Sequence, residues 1–254
     1  MQKNDSHNFV RYHLIDALRG FALVNMVLFH MMYDIFFIFE ADTSWIFSPI
    51  TAVWERFICC SFIILSGVSV NFSKKPLKRG IILNVLGFLI TAVTVIFLPS
   101  QAIWFGILNF LGCAMMITYV LKTFLDNVRP VKGVAFSLIA FALLYGVPDG
   151  YIGVFAAEIF KLPDFLYSLD AFAFIGLPSV GFYSTDYFPL VPWIFLFFAG
   201  YFAWRCVREH GAERLFVRKI PLFDFAGRHS LLIYIVHQPV IMGVLAVVFY
   251  FVNI

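Results

Sequence analysis

The chain has 254 residues, of which 62% are apolar, 19% aromatic and 13% charged. Ordinary soluble domains carry roughly 25% charged residues, and 18 basic plus 15 acidic side chains cannot coat a water-facing surface on a chain of this length. With a mean hydropathy of +0.90, the composition indicates a polytopic membrane protein and excludes a disordered chain, a nucleic-acid binder and a secreted disulfide scaffold.

A membrane helix needs about 20 mostly apolar residues. Seven stretches qualify: 17–38, 53–72, 81–98, 103–121, 131–147, 188–204 and 230–252. Met1 to Leu14 is polar and no small-residue cleavage site follows the first apolar run, so the first span is expected to act as its own insertion signal. Pro76, Pro99, Pro130, Pro148 and Pro189 fall near span ends, where helices stop or start. Lipid cannot satisfy open backbone groups, and no alternating ten-residue pattern is visible, so helices rather than a barrel are predicted. The 148–187 stretch is long and apolar, and 165–183 imitates a span. A crossing there would move the Arg-rich 205–228 connection to the side opposite the other basic connections. An outer loop is therefore predicted for 148–187, either partly re-entrant or lying on the membrane surface, in a single domain covering 1–254. Cys59, Cys60, Cys113 and Cys206 lie in or beside spans and read as small apolar residues, with neither zinc spacing nor a ready disulfide.

Basic residues set the orientation. Lys3 and Arg11 precede the first span, and Lys74, Lys75, Lys78 and Arg79 follow the second. Lys122, Arg129 and Lys132 follow the fourth, and Arg205, Arg208, Arg214, Arg218, Lys219 and Arg228 follow the sixth. The alternate connections hold only Arg56 and Lys161 among acidic residues such as Glu40, Asp42, Asp149 and Asp186. The expected fold is all-α: a membrane helical bundle of about seven spans, with the N-terminus cytoplasmic and the C-terminus outside.

Ionisable residues within spans cost at least about 2.5–3.5 kcal/mol each on insertion scales, so each one calls for a role. The first span holds Asp16, Arg19, His30 and Asp34, and the last holds His237, followed by Gln238 and Pro239. Asp16 and Arg19 are spaced to pair at the cytoplasmic edge. His30 and Asp34 are one turn apart, so the carboxylate is placed to orient the imidazole. Arg19 and His30 lie about 16 Å apart along a helix, or three turns, so Asp16, Arg19 and His30 share one polar stripe with Asn25 off it. Such a stripe suits a channel, a proton path or an active site. It also suits plain structure, as an interfacial ion pair and interhelical hydrogen bonds. All eight lysines lie outside the spans, so no retinal-type Schiff base can form. No Gly-Tyr-Gly filter, metal-ligand spacing or phosphate-cradling Gly loop is present.

The first span, RYHLIDALRGFALVNMVLFH, resembles the opening of membrane acyltransferases. Arg19, ten residues and His30 match the Arg–x10–His motif of the acyltransferase type 3 family. The rest resembles the bacterial relatives of the heparan-alpha-glucosaminide N-acetyltransferase catalytic domain. FIILSGVSVNFSK (62–74), FGILNFLG (105–112), DYFPLVPWIFLFFAGY (186–201) and GRHSLLIYIVHQPV (227–240) are similar to blocks of that family, in its order, so the resemblance spans about 11–245. Seven spans are fewer than in well-studied relatives, and the luminal active-site His of the eukaryotic enzyme has no counterpart here.

The resemblance implies a multi-pass enzyme of the cytoplasmic (inner) membrane. It would move an acetyl or other acyl group from cytoplasmic acyl-CoA to a hydroxyl or amine of an acceptor outside, a glycan or small molecule. It implies His30 as general base, Arg19 as partner of CoA or of the thioester, His237 as an assisting group and Asp34 as the group that orients His30. Lys78, Arg79 and Arg228, with Arg205 among the other cytoplasmic basic residues, are candidates to attract CoA phosphates. Asp186, Trp193 and Gln238 are candidate acceptor contacts, although Asp186 equally suits a helix cap. No metal and no nucleic acid enter the reading, and a homodimer is compatible with it. A proton-coupled small-molecule transporter using the same stripe is the alternative; it predicts flux without acyl-CoA consumption.

Overall fold

Proline stands at the start of four of the long or short helices, where its fixed φ and missing N–H cost nothing. The computed structural model describes residues 11–38, 43–45 and 48–252. Helices make up 75% of it, with almost no strand, as the composition requires. The helices are α1 (His13–Tyr33), α2 (Pro49–Val70), α3 (Pro76–Phe97), α4 (Ile107–Val120), α5 (Lys122–Asn127), α6 (Pro130–Leu144), α7 (Leu190–Glu209), α8 (Pro221–Arg228) and α9 (Ser230–Val252). Six stretches among the described residues are long and apolar enough to cross a membrane: His13–Phe36, Pro49–Val70, Pro76–Phe97, Pro130–Asp149, Leu190–Glu209 and Ser230–Phe251.

The stretch expected to span over 103–121 is shorter than predicted. Helix α4 has 14 residues and rises about 21 Å, less than the roughly 30 Å of hydrocarbon. The cause is local. Phe105 has a positive φ of 53°, which breaks the helix before it starts, and Asp186 accepts from the Ile107 N–H at 3.3 Å, fixing the first turn there.

The 165–183 stretch holds no spanning helix. It contains two short 3₁₀ turns, Asp164–Tyr167 and Asp170–Phe172, within irregular chain. Ahead of it lies a hairpin that the sequence reading did not anticipate, β1 (Tyr151–Val154) paired antiparallel with β2 (Ala157–Lys161). Its register runs from Tyr151 opposite Lys161 to Val154 opposite Ala157, with an irregularity between Ile152 and Gly153. The rest of 148–187 bonds partly to its own neighbourhood and partly to the chain before α4, where the Thr185 N–H donates to the Ala102 carbonyl. The Tyr167 hydroxyl donates to the Val147 carbonyl, and the Leu190 N–H to the Phe174 carbonyl.

The chain divides into two compact units, Met1–Leu65 with Val207–Ile254, and Ser66–Cys206. In the second, small residues let helices approach. Gly80 and Gly112 bring α3 against α4, and a Cβ on Gly112 would overlap the Asn84 amide. Between these helices the Asn84 side chain donates to the Gly80 carbonyl (3.1 Å), accepts from Cys113 Sγ (3.4 Å), and its backbone carbonyl receives the Asn109 amide (3.4 Å). Phe141, Tyr145, Phe188 and Trp193 form an aromatic cluster where α6 meets α7. Arg205 donates to the carbonyls of Leu125 (2.6 Å), Asp126 (2.9 Å) and Val128 (3.3 Å), satisfying the C-terminal end of α5.

In the first unit, Leu23, Met26 and Ile58 form a buried core joined by Trp54, Phe62, Ile233 and Tyr234, so α1, α2 and α9 share it. Asn25, off the expected stripe, accepts from Trp54 Nε1 at 3.0 Å and so ties α2 to α1. Helix α8 lies on α1 backbone to backbone. A Cβ on Gly20 would overlap the Phe223 carbonyl, and one on Gly227 would overlap the Asp16 carbonyl. Neither neighbour is a flexible side-chain tip, so neither can step aside. Gly227→Val is therefore expected to destabilise the protein by at least about 1–3 kcal/mol, read as a lower melting temperature in detergent, whereas Gly243→Ala, with open space around its Cβ, leaves it unchanged. Equal melting of the two variants would contradict the crossing.

Candidate active site

The polar residues of α1 fall into two groups about three helical turns apart. At the N-terminal end Asp16 accepts from Arg19 at 3.0 Å and from Arg11 at 2.9 Å. Arg19 also donates to the Gly227 carbonyl at 3.3 Å, across the glycine crossing with α8. The i, i+3 pair is the one predicted; its further bond to α8 joins elements 208 residues apart, which no local spacing reveals.

Beside it lies an ion cluster that sequence reasoning missed. Asp224 of α8 is 1% exposed. It accepts from His13 Nδ1 at 2.9 Å and from Arg228, one turn later in α8. The Asp224–Arg228 spacing was a visible signal of pairing; the tie to His13 was not. Arg228, expected to serve CoA, is thus engaged by Asp224. Burial pushes the Asp224 carboxyl up, but the hydrogen bonds and charges of Arg228 and His13 push it down further, and it lies below the ordinary carboxylate range.

At the far end of α1, His30 meets His237 of α9, with ring centroids 4.8 Å apart. The two histidines taken from separate spans are brought together. Asp34 follows one turn on, at the start of a wider π-type turn over Asp34–Ile38. It is 0% exposed. Its expected partner was His30, but its two oxygens accept from Gln238 Nε2 at 2.9 and 3.0 Å. Asp34 keeps helical backbone, with its N–H bonded to the His30 carbonyl, but the amide on α9 takes the carboxylate. His237 is 9% exposed, and its Nδ1 lies 2.6 Å from the Tyr234 carbonyl. Its Nε2 and the Gln238 Oε1 are buried without a hydrogen-bond partner among the described residues.

The remaining candidates lie in the other unit. Lys78 and Arg79 are exposed in the first turn of α3. Asp186 caps α4, the role weighed against acceptor binding. Trp193 is buried in the α6–α7 aromatic cluster. Asn84 and Asn109 were missed because only ionisable groups were sought within the spans. Among the described residues no group of three or more His, Cys, Asp or Glu side chains is placed to hold a metal.

Chemically, His30, His237, Asp34 and Gln238 bring two imidazoles, a carboxylate and an amide to one junction of α1 and α9. That set can accept, hold and return a proton. The arginine end supplies fixed positive charge on the same helix.

The Asp224 cluster carries a pH dependence. Its carboxyl is depressed on folding, so its stabilisation is fully present above the ordinary value of 3.8 and is lost as pH falls through the lower folded-state value. Asp224→Asn is expected to cost about 1–3 kcal/mol at neutral pH and to flatten acid unfolding below pH 4, followed by circular dichroism in detergent. An unchanged acid profile would contradict the cluster's role.

A model of the family described as heparan-alpha-glucosaminide N-acetyltransferase, catalytic, matches residues 11–239. No curated protein and no solved structure matches the chain.

Proposed function

We infer the function of this chain from the family it belongs to, that of the heparan-alpha-glucosaminide N-acetyltransferase catalytic domain. It is a multi-pass membrane acyltransferase, and acetyl transfer is the activity the family suggests. We propose that acetyl-CoA or another acyl-CoA is the donor, used from the cytoplasmic side. The acceptor is a hydroxyl or amine, on a sugar or other small molecule, presented from the opposite side of an inner membrane. The single observation that carries this is the junction of His30 with His237 at 4.8 Å. It joins the Arg–x10–His motif of the first helix to the His-Gln-Pro block of the last helix.

A thioester is already activated, so the protein has two tasks: to remove the acceptor's proton and to stabilise the developing oxyanion. A positioned imidazole as general base contributes about 10²–10⁴-fold, and the histidine pair supplies it. Arg19 stays charged at every relevant pH and suits phosphate or a developing oxyanion. It lies on the same helix as His30, about 16 Å away. That interval is long enough for the pantetheine arm of CoA to run from a phosphate group near Arg19 to a thioester near the histidines. Arg228, bonded to Asp224, is proposed to add positive charge for the nucleotide at this end of α1. Asp34 and Gln238 hold the α1–α9 junction together.

A ligand that binds only the folded state raises apparent stability, by about 2.7 kcal/mol at 100 times Kd. Acetyl-CoA is expected to raise the melting temperature of the purified protein in detergent. The shift should shrink with dephospho-CoA and in Arg19→Ala. No shift with any acyl-CoA, in protein shown to be folded, would remove the donor from the proposal and favour the transporter alternative.

A further inference from the structure

We propose that His237, rather than His30, takes the proton from the acyl acceptor, with the Gln238 amide oxygen next to it on α9 as a second buried hydrogen-bond acceptor. The inference rests on the acyl-transfer reading above.

It starts from one hydrogen bond. A backbone carbonyl has no proton to give, so the 2.6 Å contact between the Tyr234 carbonyl and His237 Nδ1 places the proton on Nδ1. A neutral imidazole carries a single N–H, so Nε2 holds the lone pair. That lone pair is buried and meets no donor among the described residues. Because Tyr234 precedes His237 by three residues in the same helix, this tautomer is fixed by α9 itself and does not depend on neighbouring elements.

His30 is placed differently. Its ring faces Phe29 at 6.1 Å and His237 at 4.8 Å between centroids. Among the described residues no hydrogen bond selects which of its nitrogens is bare. Asp34, expected to make that selection, is bonded to Gln238. His30 therefore borders the base and limits the movement of its ring, while His237 has the fixed lone pair.

Gln238 defines what the site accepts. The Asp34 carboxylate is an acceptor, so the Gln238 atom bonded to it is the amide nitrogen, and the orientation of the amide follows. Oε1 is left as a second buried acceptor without a partner. Two unpaired acceptors on adjacent residues, and no unpaired buried donor beside them among the described residues, suit a group that brings N–H or O–H bonds. The reacting N–H or O–H answers His237 Nε2, and a second N–H or a neighbouring hydroxyl of the same molecule answers Gln238 Oε1; an ester or an anion brings neither.

The step balances on these atoms. The acceptor's X–H bond breaks and its proton passes to His237 Nε2. The freed electron pair forms the X–C bond at the acyl-CoA carbonyl. The C–S bond breaks, and the departing thiolate recovers the proton from Nε2 as free CoA. His237 returns to its neutral tautomer.

The test has two arms, both on the full chain in lipid nanodiscs. Ring-nitrogen NMR of nitrogen-15 histidine is expected to show an Nδ1-protonated, Nε2-bare imidazole for His237 beside the one that the Phe225 carbonyl fixes at His229; the His237 signal is lost in His237→Gln and kept in His30→Gln. Thiol release from acetyl-CoA is followed with glucosamine, which carries a primary amine and several hydroxyls. It is expected to fall about 10²–10⁴-fold in His237→Gln and by less in His30→Gln. An Nε2-protonated His237, or a His237→Gln protein that turns over at the wild-type rate, overturns the assignment. Wild-type protein that shows the expected spectrum but releases no thiol overturns the acyl-transfer reading instead.

Discussion

Two backbones meet where Gly20 of α1 faces Gly227 of α8, and the arrangement of the unit around them follows from that approach. Lipid supplies no hydrophobic drive between helices, so small residues that admit close backbone contact set the crossings. With α8 held on α1, Arg19 reaches the Gly227 carbonyl and His13 reaches Asp224. Two residues after α8, α9 begins at Ser230. Its starting point beside α1 is thereby fixed, and two turns further along α9 His237 arrives against His30. A glycine contact outside the chemistry thus aligns the groups proposed to perform it.

The membrane also explains why polar groups occur in pairs. An unpaired polar group costs far more in hydrocarbon than in water. Asp34 is answered by Gln238, Asn25 by Trp54, and Asn84 by Cys113 and Asn109. Among the described residues four buried side-chain atoms lack a partner, Ser73 Oγ, Asn109 Oδ1, His237 Nε2 and Gln238 Oε1, and only the last two lie on adjacent residues. They belong to the His-Gln-Pro block, where the proposed acceptor would supply the missing bonds.

Much of this was legible in the sequence. Composition fixed the class, and 62% apolar residues with charges gathered between runs placed the helices. The Asp16–Arg19 pair followed from its spacing. The Gln238 partner of Asp34 and the His13 partner of Asp224 did not, because the bonds join residues 204 and 211 positions apart. Periodicity speaks only of neighbours on one element. It assigned Asp34 to His30, its neighbour one regular turn back, and could not show the Gln238 amide that α9 brings to the same carboxylate. The length of α4 was misjudged for a related reason, since hydropathy counts Trp104 and Phe105 as helical although the positive φ of Phe105 excludes it. Helix α8 was hidden inside an Arg-rich connection, because eight residues are too few to register as a run.

The central claim is that an acyl group leaves CoA at the junction of α1 and α9. It is tested most directly by following labelled acetyl groups from acetyl-CoA, added on one side of sealed vesicles, into acid-stable product. Wild-type protein is compared with the His30→Ala/His237→Ala double variant, inserted to the same level. The account predicts transfer by the wild type and its loss in the double variant. Transfer undiminished in the double variant would contradict it.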